Sequence, residues 1–443
     1  MTAALNTSPA GAPWLRWGCI LLAAALLLFA MERGIAPSSQ SNPRPAPGHA
    51  DLALTGVAQD YGNALRQADY HLGSVNLRTQ SMPGDWLMHN ISARAWLARA
   101  RLTGSYEDFG QADAALRRAF DTASDGTGPH VTGAVLAFSM HRLAEAERFL
   151  EATDRYAVPP DRDERAEIAA IRGDIAFYRG DYVTALKGYD DADGLVPGAS
   201  DFRRAIYYGL TGEADRSEAY LNRSERALES PTRHALARLE LQRGILDLER
   251  GRLEQALAHF RRADRIFPGH WLIEEHIAEV LTLQGDLAAA ERLYRDIVRR
   301  TGHPEFMDAL AGIAAQRGDE RAGREWTDRA WAAWQVRIAQ FPEAAYGHAI
   351  DHCVGKRDWA SALSLAQRNH EARPYGDAKV KLAQALLGNG RAAEARLMIE
   401  AVLRSPWRSA DLHGTAADIY AALGLASQAA AQRRLARAIN PVI

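Results

Sequence analysis

The residues best suited to chemistry form two short clusters of histidine with acidic or thiol side chains. In the first, His348 and His352 are four residues apart, with Asp351 and Cys353 beside them. A spacing of four places two side chains on one face of a helix. Two such imidazoles can bind zinc together with a neighbouring carboxylate or thiolate. On a helix, however, Cys353 points about 100° away from His352, so the pattern favours polar and core positions over a metal site.

The second cluster, His270, Glu274, Glu275 and His276, begins a repeat and favours a solvated helix start over metal binding. The sequence contains no Walker-type phosphate loop, zincin helix, CxxC pair, nucleophile elbow or dinucleotide fingerprint. A net charge of −2 offers polyphosphate no general attraction, so nucleic acid is not an expected partner. The sequence therefore predicts a protein that is not an enzyme and has no metal or cofactor.

Small and aromatic residues recur with a period of 34 residues, which is typical of stacked helix pairs. The clearest copy is formed by Gly244, Gly251, Ala256, Phe260, Ala263 and Pro268. One period later the matching residues are Ala278, Gly285, Ala290, Tyr294, Ile297 and Gly302. Earlier and later copies contain Gly173, Gly180, Ala185, Tyr189, Ala192, Pro197, Gly390, Ala395, Gly424 and Ala429. The small residues allow two helices to approach closely, and the aromatic residues fill the space against the next pair.

This pattern resembles that of bacterial membrane-anchored tetratricopeptide repeat (TPR) proteins, from about residue 85 to the C-terminus. The resemblance implies an all-α fold, a right-handed α-α superhelical solenoid of helix hairpins. It also implies that the concave surface binds peptides or client proteins without catalysis. Residues 319–341 depart from the standard unit and predict one long second helix with Trp326, Trp331 and Trp334. We interpret these tryptophans as core residues, with an exposed contact patch as the alternative.

The N-terminal segment has the character of a membrane signal. Residues 17–31 carry no charge, with Arg16 before them and Glu32 and Arg33 after them. The run is shorter than the roughly 20 residues of an upright spanning helix, which leaves a cleaved signal as the alternative to an uncleaved anchor. Arg16 favours a cytoplasmic N-terminus. We therefore expect a single-pass protein of the cytoplasmic membrane with its solenoid in the periplasm, or a periplasmic protein if the signal is cleaved.

The chain divides into five predicted regions. Residues 1–16 form the cytoplasmic N-terminus, 17–33 the signal anchor, and 34–50 a linker rich in proline and serine. Residues 51–165 form an irregular helical, TPR-like region that begins with an amphipathic capping helix, and 166–443 form the TPR solenoid.

In the family, the concave groove is lined mainly by first-helix positions 2, 5, 9, 12 and 13. Mapped onto this chain, the groove residues are Glu167, Asp174, Phe177, Tyr178, Arg238, Glu275, Glu279, Asp308, Asp351, Asp377, Asp411 and Asp418. This lining is acidic, with Arg238 as its chief cation, and predicts a basic or amphipathic partner segment. The alternative is a set of ordinary solvated helix faces.

The predicted function is a membrane-anchored scaffold that binds a partner protein or peptide during assembly or maturation of an envelope system. Two alternatives belong to other classes. One is a metal-handling protein that uses His348, His352 and Cys353, and the other is a purely structural module that oligomerises through the tryptophan-bearing helix.

Overall fold

The structure, a computed structural model, describes residues 58–228 and 231–442, and these residues form 21 helices and no strand. The first seven helices are α1 (Tyr61–Ser81), α2 (Trp86–Thr103), α3 (Tyr106–Thr122), α4 (His130–Ser139), α5 (Leu143–Thr153), α6 (Arg162–Tyr178) and α7 (Tyr182–Leu195). The next seven are α8 (Asp201–Leu210), α9 (Ala214–Arg226), α10 (Arg233–Glu249), α11 (Leu253–Ile266), α12 (Trp271–Leu283), α13 (Leu287–Thr301) and α14 (Pro304–Gln316). The last seven are α15 (Glu320–Gln340), α16 (Pro342–Gly355), α17 (Trp359–Ala372), α18 (Gly376–Gly388), α19 (Ala392–Leu403), α20 (Ala410–Ala422) and α21 (Ala426–Ile439).

The helices pair as antiparallel hairpins, from α2–α3 to α20–α21, and α1 packs against α2 at the N-terminal end. Small residues allow the close approach within a hairpin. In α10, a Cβ added to Gly244 would lie 2.3 Å from Cε1 of Phe260 in α11. Glycines such as Gly180 and Gly285 turn the chain between the two helices with φ of 76° and 83°, a conformation that other residues adopt at a cost. The predicted solenoid of helix hairpins is confirmed.

The first helix of each hairpin lies on the inner side of the solenoid. Contacts join α2 to α4, α4 to α6, α14 to α16, α16 to α18, and α18 to α20. Each second helix packs against its own first helix and against the first helix of the next hairpin. The side chains of neighbouring first helices therefore meet along the concave face.

Successive turns of the solenoid touch each other. The Trp271 indole N–H donates to the Leu102 carbonyl at 2.8 Å, although 169 residues separate them. The backbone N–H of Gly376 donates to the Tyr182 hydroxyl at 3.0 Å across 194 residues. These contacts pack α2 against α12 and the start of α7 against the start of α18, hairpins that lie far apart in the sequence.

The long second helix predicted over residues 319–341 is confirmed. The long helix is α15, with 21 residues, and the amphipathic capping helix is α1. Trp334 is fully buried, while Trp326 and Trp331 are half-buried and pack against the core. The core interpretation is therefore confirmed for Trp334.

The three predicted N-terminal regions, 1–16, 17–33 and 34–50, lie outside the described residues, as does the start of the fourth. Among the helices that the structure describes, none combines the length and the apolar character needed to cross a membrane. Within the described part of the fourth region, residues 58–165, the chain forms α1 and the hairpins α2–α3 and α4–α5.

Candidate functional site

Acidic side chains on one first helix are bonded by basic side chains on the next, a series that we call the inner ladder. Its first rung joins α6 to α8. The Arg203 guanidinium donates to the Asp174 carboxylate and to the Glu167 carboxylate, each at 2.8 Å. Arg203 and Asp174 are buried. Burial raises the pKa of Asp174 to about 6, although the charge of Arg203 acts in the opposite direction.

Two further rungs lie between α14, α16 and α18. Asp308 of α14 contacts the His352 ring at 2.6 Å and accepts from the Trp334 indole N–H at 2.9 Å. Asp351 of α16 accepts from the Lys381 ammonium group at 2.5 Å. Burial raises the pKa of Asp351 to about 7 against the charge of Lys381. In each of these rungs a group from the next hairpin bonds a buried carboxylate. Asp308 is also bonded by Trp334, which lies on the second helix of its own hairpin.

The step from α12 to α14 lacks such a base. Glu275 and Glu279 lie one turn apart on α12, and α14 contains no lysine, arginine or histidine. The facing acids of α14 are already engaged, Asp308 as above and Glu305 by the Arg337 guanidinium at 2.8 Å. Within the described residues, the basic group beside the two glutamates is His276, whose Nδ1 lies 3.1 Å from Glu279 and 3.3 Å from Glu275. We call this place the ladder gap.

The electrostatics of the ladder gap favour a cation. Burial, followed by the neighbouring charges of Glu279 and Glu305, raises the pKa of Glu275 well above its ordinary value. Burial alone does the same for Glu279. Burial also lowers the pKa of His276 to about 3, so its ring is neutral near pH 7 and neutralises neither glutamate. Two buried carboxyl groups without a cation favour the protonated form, and a cation would favour ionisation.

A cavity of about 260 Å³ lies directly over the ladder gap. Its polar wall contains Glu275, Glu279, Glu305, Asp308, His348, Asp351 and His352. Its apolar wall includes Phe306 and Ile313 of α14 and Leu283 of α12. The exposed Lys356 and the half-buried Gln316 stand at the C-terminal ends of α16 and α14, where the cavity meets solvent. Helix C-termini carry partial negative charge, which also favours a cation at this mouth.

The structure brings four of the predicted groove residues together in this cavity, Glu275, Glu279, Asp308 and Asp351. Glu167 and Asp174 lie on the same concave face, but Arg203 compensates both of them. The Arg238 guanidinium lies over the Phe202 ring at 5.7 Å. Asp377 accepts from the Tyr375 hydroxyl at 3.1 Å, and Asp411 and Asp418 are half-buried on α20. The predicted groove therefore has two parts. In the inner ladder, bases of the protein itself bond the carboxylates, and the other part is the cavity over the ladder gap.

Two groove predictions need correction. Phe177 and Tyr178 do not face an open groove. Phe177 lies 6.3 Å from the Trp407 ring and Tyr178 lies 4.9 Å from the Tyr375 ring, ring centre to ring centre, in the contact between two turns. An isolated repeat would expose these side chains, whereas the next turn of the superhelix buries them.

Sequence reasoning also missed the cations of the inner ladder, since Arg238 was expected to be the chief one. Arg203 and Lys381 are both buried and both bonded to carboxylates of the preceding first helix. The signal was available as a basic residue about 30 positions after an acidic one. The complementary signal for the ladder gap is the base-free sequence of α14 opposite two glutamates.

The first histidine cluster does not assemble into the zinc site that one alternative requires. His348 stacks on Trp334 and His352 stacks on Trp331, with ring centres 5.9 and 5.2 Å apart. Cys353 is 1% exposed within the hydrophobic core, and burial raises the pKa of its thiol to about 12. A thiol in that setting is a poor metal ligand, because the thiolate is the form that binds metal.

No protein-family model matches this sequence, and no curated protein matches it. Among solved structures, the chain is similar to a tetratricopeptide repeat protein from Parabacteroides merdae, with 16% identity over 55% of this chain and 93% of that one, at a TM-score of 0.33. It is similar to yeast Tom70, with 13% identity over 84% and 88% of the two chains and a TM-score of 0.40. It is also similar to a human IFIT1 dimer with PPP-AAAA, with 14% identity over 72% and 90% and a TM-score of 0.34. The likeness concerns the fold, which the hairpins described above establish on their own.

Proposed function

We propose that this tetratricopeptide-type solenoid is a non-catalytic scaffold that binds a basic segment of a partner protein on its concave face. The observation that carries the proposal is the ladder gap, where Glu275 and Glu279 stand without a compensating lysine or arginine beneath a cavity of about 260 Å³. Two other steps of the same face, α6–α8 and α16–α18, supply their own base. The gap is therefore the place where a base from outside would complete the series.

The walls of the cavity suit an amphipathic cation. A lysine or arginine side chain joins an apolar stem to a charged head. Phe306, Ile313 and Leu283 offer apolar contact for the stem, and the glutamates lie beside the space for the head. The same carboxylates disfavour a polyphosphate ligand, because like charges repel at short range.

For location, we propose that residues 17–33 anchor the chain in the cytoplasmic membrane and that the solenoid acts on the periplasmic side. The uncharged run and the position of Arg16 support this proposal. An anchored scaffold of this kind would hold a partner near the membrane during assembly or maturation of an envelope system.

The function is tested with two labelled peptides, one of lysine and leucine and one in which glutamate replaces every lysine. Binding to the full-length chain is measured by fluorescence anisotropy at low and high salt. We expect the basic peptide to bind and its affinity to fall as salt shortens the screening length from about 10 Å at 0.1 M to about 3 Å at 1 M. Equal binding of both peptides, or an affinity that salt leaves unchanged, would contradict the proposal.

The location is tested separately. Membranes from cells that produce the full-length chain are washed with alkaline carbonate, and the N-terminus of the retained protein is sequenced. Retention with an intact N-terminus supports the anchor. Release, together with loss of the first residues, would show a cleaved signal instead.

A further inference from the structure

We infer that Glu275, His276 and Glu279 form a binding site for a divalent transition-metal ion of the Zn²⁺ class, with one coordination position open to the cavity. This inference goes beyond the proposed function and gives the same two glutamates a different occupant, so that a bound ion and a basic side chain of a partner would compete for them. It also concerns a different set of residues from the His348, His352 and Cys353 cluster.

The spacing of the three side chains matches a tetrahedral site. His276 Nδ1 lies 3.1 Å from Glu279 Oε2 and 3.3 Å from Glu275 Oε2. One ligand atom from each residue lies within 4.8 Å of the other two. Zinc bonds to nitrogen and oxygen are about 2.0 to 2.1 Å long, so neighbouring ligands of a tetrahedral ion stand on the order of 3.3 Å apart. The side chains are therefore near coordinating separations before any ion enters.

The second observation is a buried carboxylate oxygen of Glu275 that has no hydrogen-bond donor within the described residues. Glu275 is 4% exposed, and within the described part of the chain its Oε2 atom accepts no hydrogen bond, although His276 Nδ1 lies 3.3 Å from it. A buried carboxylate oxygen without a partner is costly, and a metal bond would satisfy it. The His276 ring is 2% exposed and stacks on Phe260 at 5.0 Å between ring centres, which holds the ring in place.

The surroundings suit an ion with an open position. Titratable groups close to the three ligands include Glu305 of α14 and Tyr294 of α13. Glu275 and Glu279 both line the cavity. Three protein ligands with a fourth position left to water or another group are typical of open zinc sites. One imidazole nitrogen and two carboxylate oxygens are ligands that zinc accepts, and the imidazole suits zinc and the other later first-row divalent ions.

The test is a titration of the full-length, metal-free chain with Zn²⁺, and separately with Co²⁺, followed by calorimetry and by the visible spectrum of cobalt. We expect one ion per chain, a tetrahedral cobalt spectrum, and a melting temperature that rises with zinc. Replacing both glutamates, in the Glu275→Gln and Glu279→Gln double variant, is expected to lower affinity beyond the roughly 10- to 100-fold that loss of a supporting partner causes. The melting temperature of that variant without metal should equal or exceed that of the wild type, which separates lost binding from misfolding.

Two variants serve as controls. Glu291→Gln changes a glutamate of α13 that Arg295 already pairs at 2.7 Å, and it should bind zinc as the wild type does. Cys353→Ala removes the thiol of the other cluster and should also leave binding unchanged. Absence of stoichiometric zinc and cobalt binding, unchanged affinity in the double glutamine variant, or loss of binding in Cys353→Ala would each overturn the inference. Because no peptide is used, these outcomes are independent of the test of partner binding.

Discussion

The α6–α8 and α12–α14 steps of the solenoid carry equivalent acidic residues on their first helix, but they differ in the side chains that the next first helix places opposite them. Asp174 follows Gly173, and Glu279 follows Ala278, the small residues that stand at equivalent places in their repeats. The α8 helix then presents Arg203 to Asp174, whereas α14 has no base to present to Glu279. The comparison teaches that one inner-face position serves the fold where the next hairpin supplies a cation and becomes a candidate site where it does not.

The difference is energetic as well as chemical. Breaking a buried ion pair leaves an uncompensated charge in the protein interior. Loss of Arg203 is therefore expected to destabilise the fold strongly. Among the described residues, no lysine or arginine pairs with the carboxyl groups of the ladder gap. Replacing these groups with neutral side chains therefore removes the free-energy cost of burying them and breaks no such ion pair. The predictions below test this contrast, beginning with the largest expected effect.

Replacement of Arg203 by methionine is expected to lower the free energy of unfolding by about 3 to 5 kcal/mol, because Asp174 and Glu167 lose their cation in a buried setting. Glu279→Gln, the matched change in the ladder gap, is expected to leave stability equal or higher. Urea unfolding followed by circular dichroism measures both. If the two variants are destabilised alike, the two steps do not differ as we describe.

Packing within the hairpins gives the next largest effect. Ala256 of α11 and Ala290 of α13 are both completely buried at hairpin contacts. Ala256→Leu and Ala290→Leu are expected to overpack these contacts and to cost about 1 to 3 kcal/mol each. Thermal melting of each variant measures the loss. An unchanged melting temperature would show that the residues are assigned to the wrong positions of the repeat. The equivalence of Asp174 and Glu279 would then be wrong as well.

The pH dependence of stability separates the two steps further. The pKa of Glu275 and of Glu279 is raised in the folded chain above the ordinary value of 4.5, so the folded state binds more protons than the unfolded state above that pH. Their contribution to stability is complete below about pH 4.5 and is lost as pH rises, by about 1.4 kcal/mol per pH unit for each carboxyl that stays protonated. Denaturant titrations with a chelator between pH 5 and pH 7 should therefore show a shallower decline in the Glu275→Gln and Glu279→Gln double variant. Parallel profiles would contradict the assignment of raised pKa values to this pair.

The contact between turns gives the smallest effect. Tyr182→Phe removes the hydroxyl that accepts from the Gly376 backbone N–H at 3.0 Å. Loss of one such hydrogen bond is expected to cost about 1 kcal/mol. The exposed Tyr70 offers a matched control, since Tyr70→Phe should leave unfolding unchanged. Equal effects of the two changes would mean that the turns are not held together at this point.

Much of the fold was predictable because each hairpin is a local structure. The 34-residue period and the long helix α15 follow from residue size and helical spacing. The placement of Glu275, Glu279, Asp308 and Asp351 on inner faces follows from the groove positions that the resemblance to tetratricopeptide repeat proteins implies. The pairing of Arg203 and Lys381 was not predicted, because it depends on how far one first helix is displaced against the next. The burial of Phe177 and Tyr178 was missed for a related reason, since it arises from a contact between turns nearly 200 residues apart.

The most direct test of the account asks whether the carboxyl groups of the ladder gap are protonated when no cation is present. Infrared difference spectra of the metal-free wild type and the Glu275→Gln and Glu279→Gln double variant, recorded at pH 7, isolate these two groups. We predict a protonated-carboxyl band in the wild type that is missing from the variant. The band should disappear from the wild-type spectrum when a cation that binds at the ladder gap is added. A wild-type spectrum with only ionised carboxylate at these positions would contradict the claim that the gap lacks its cation.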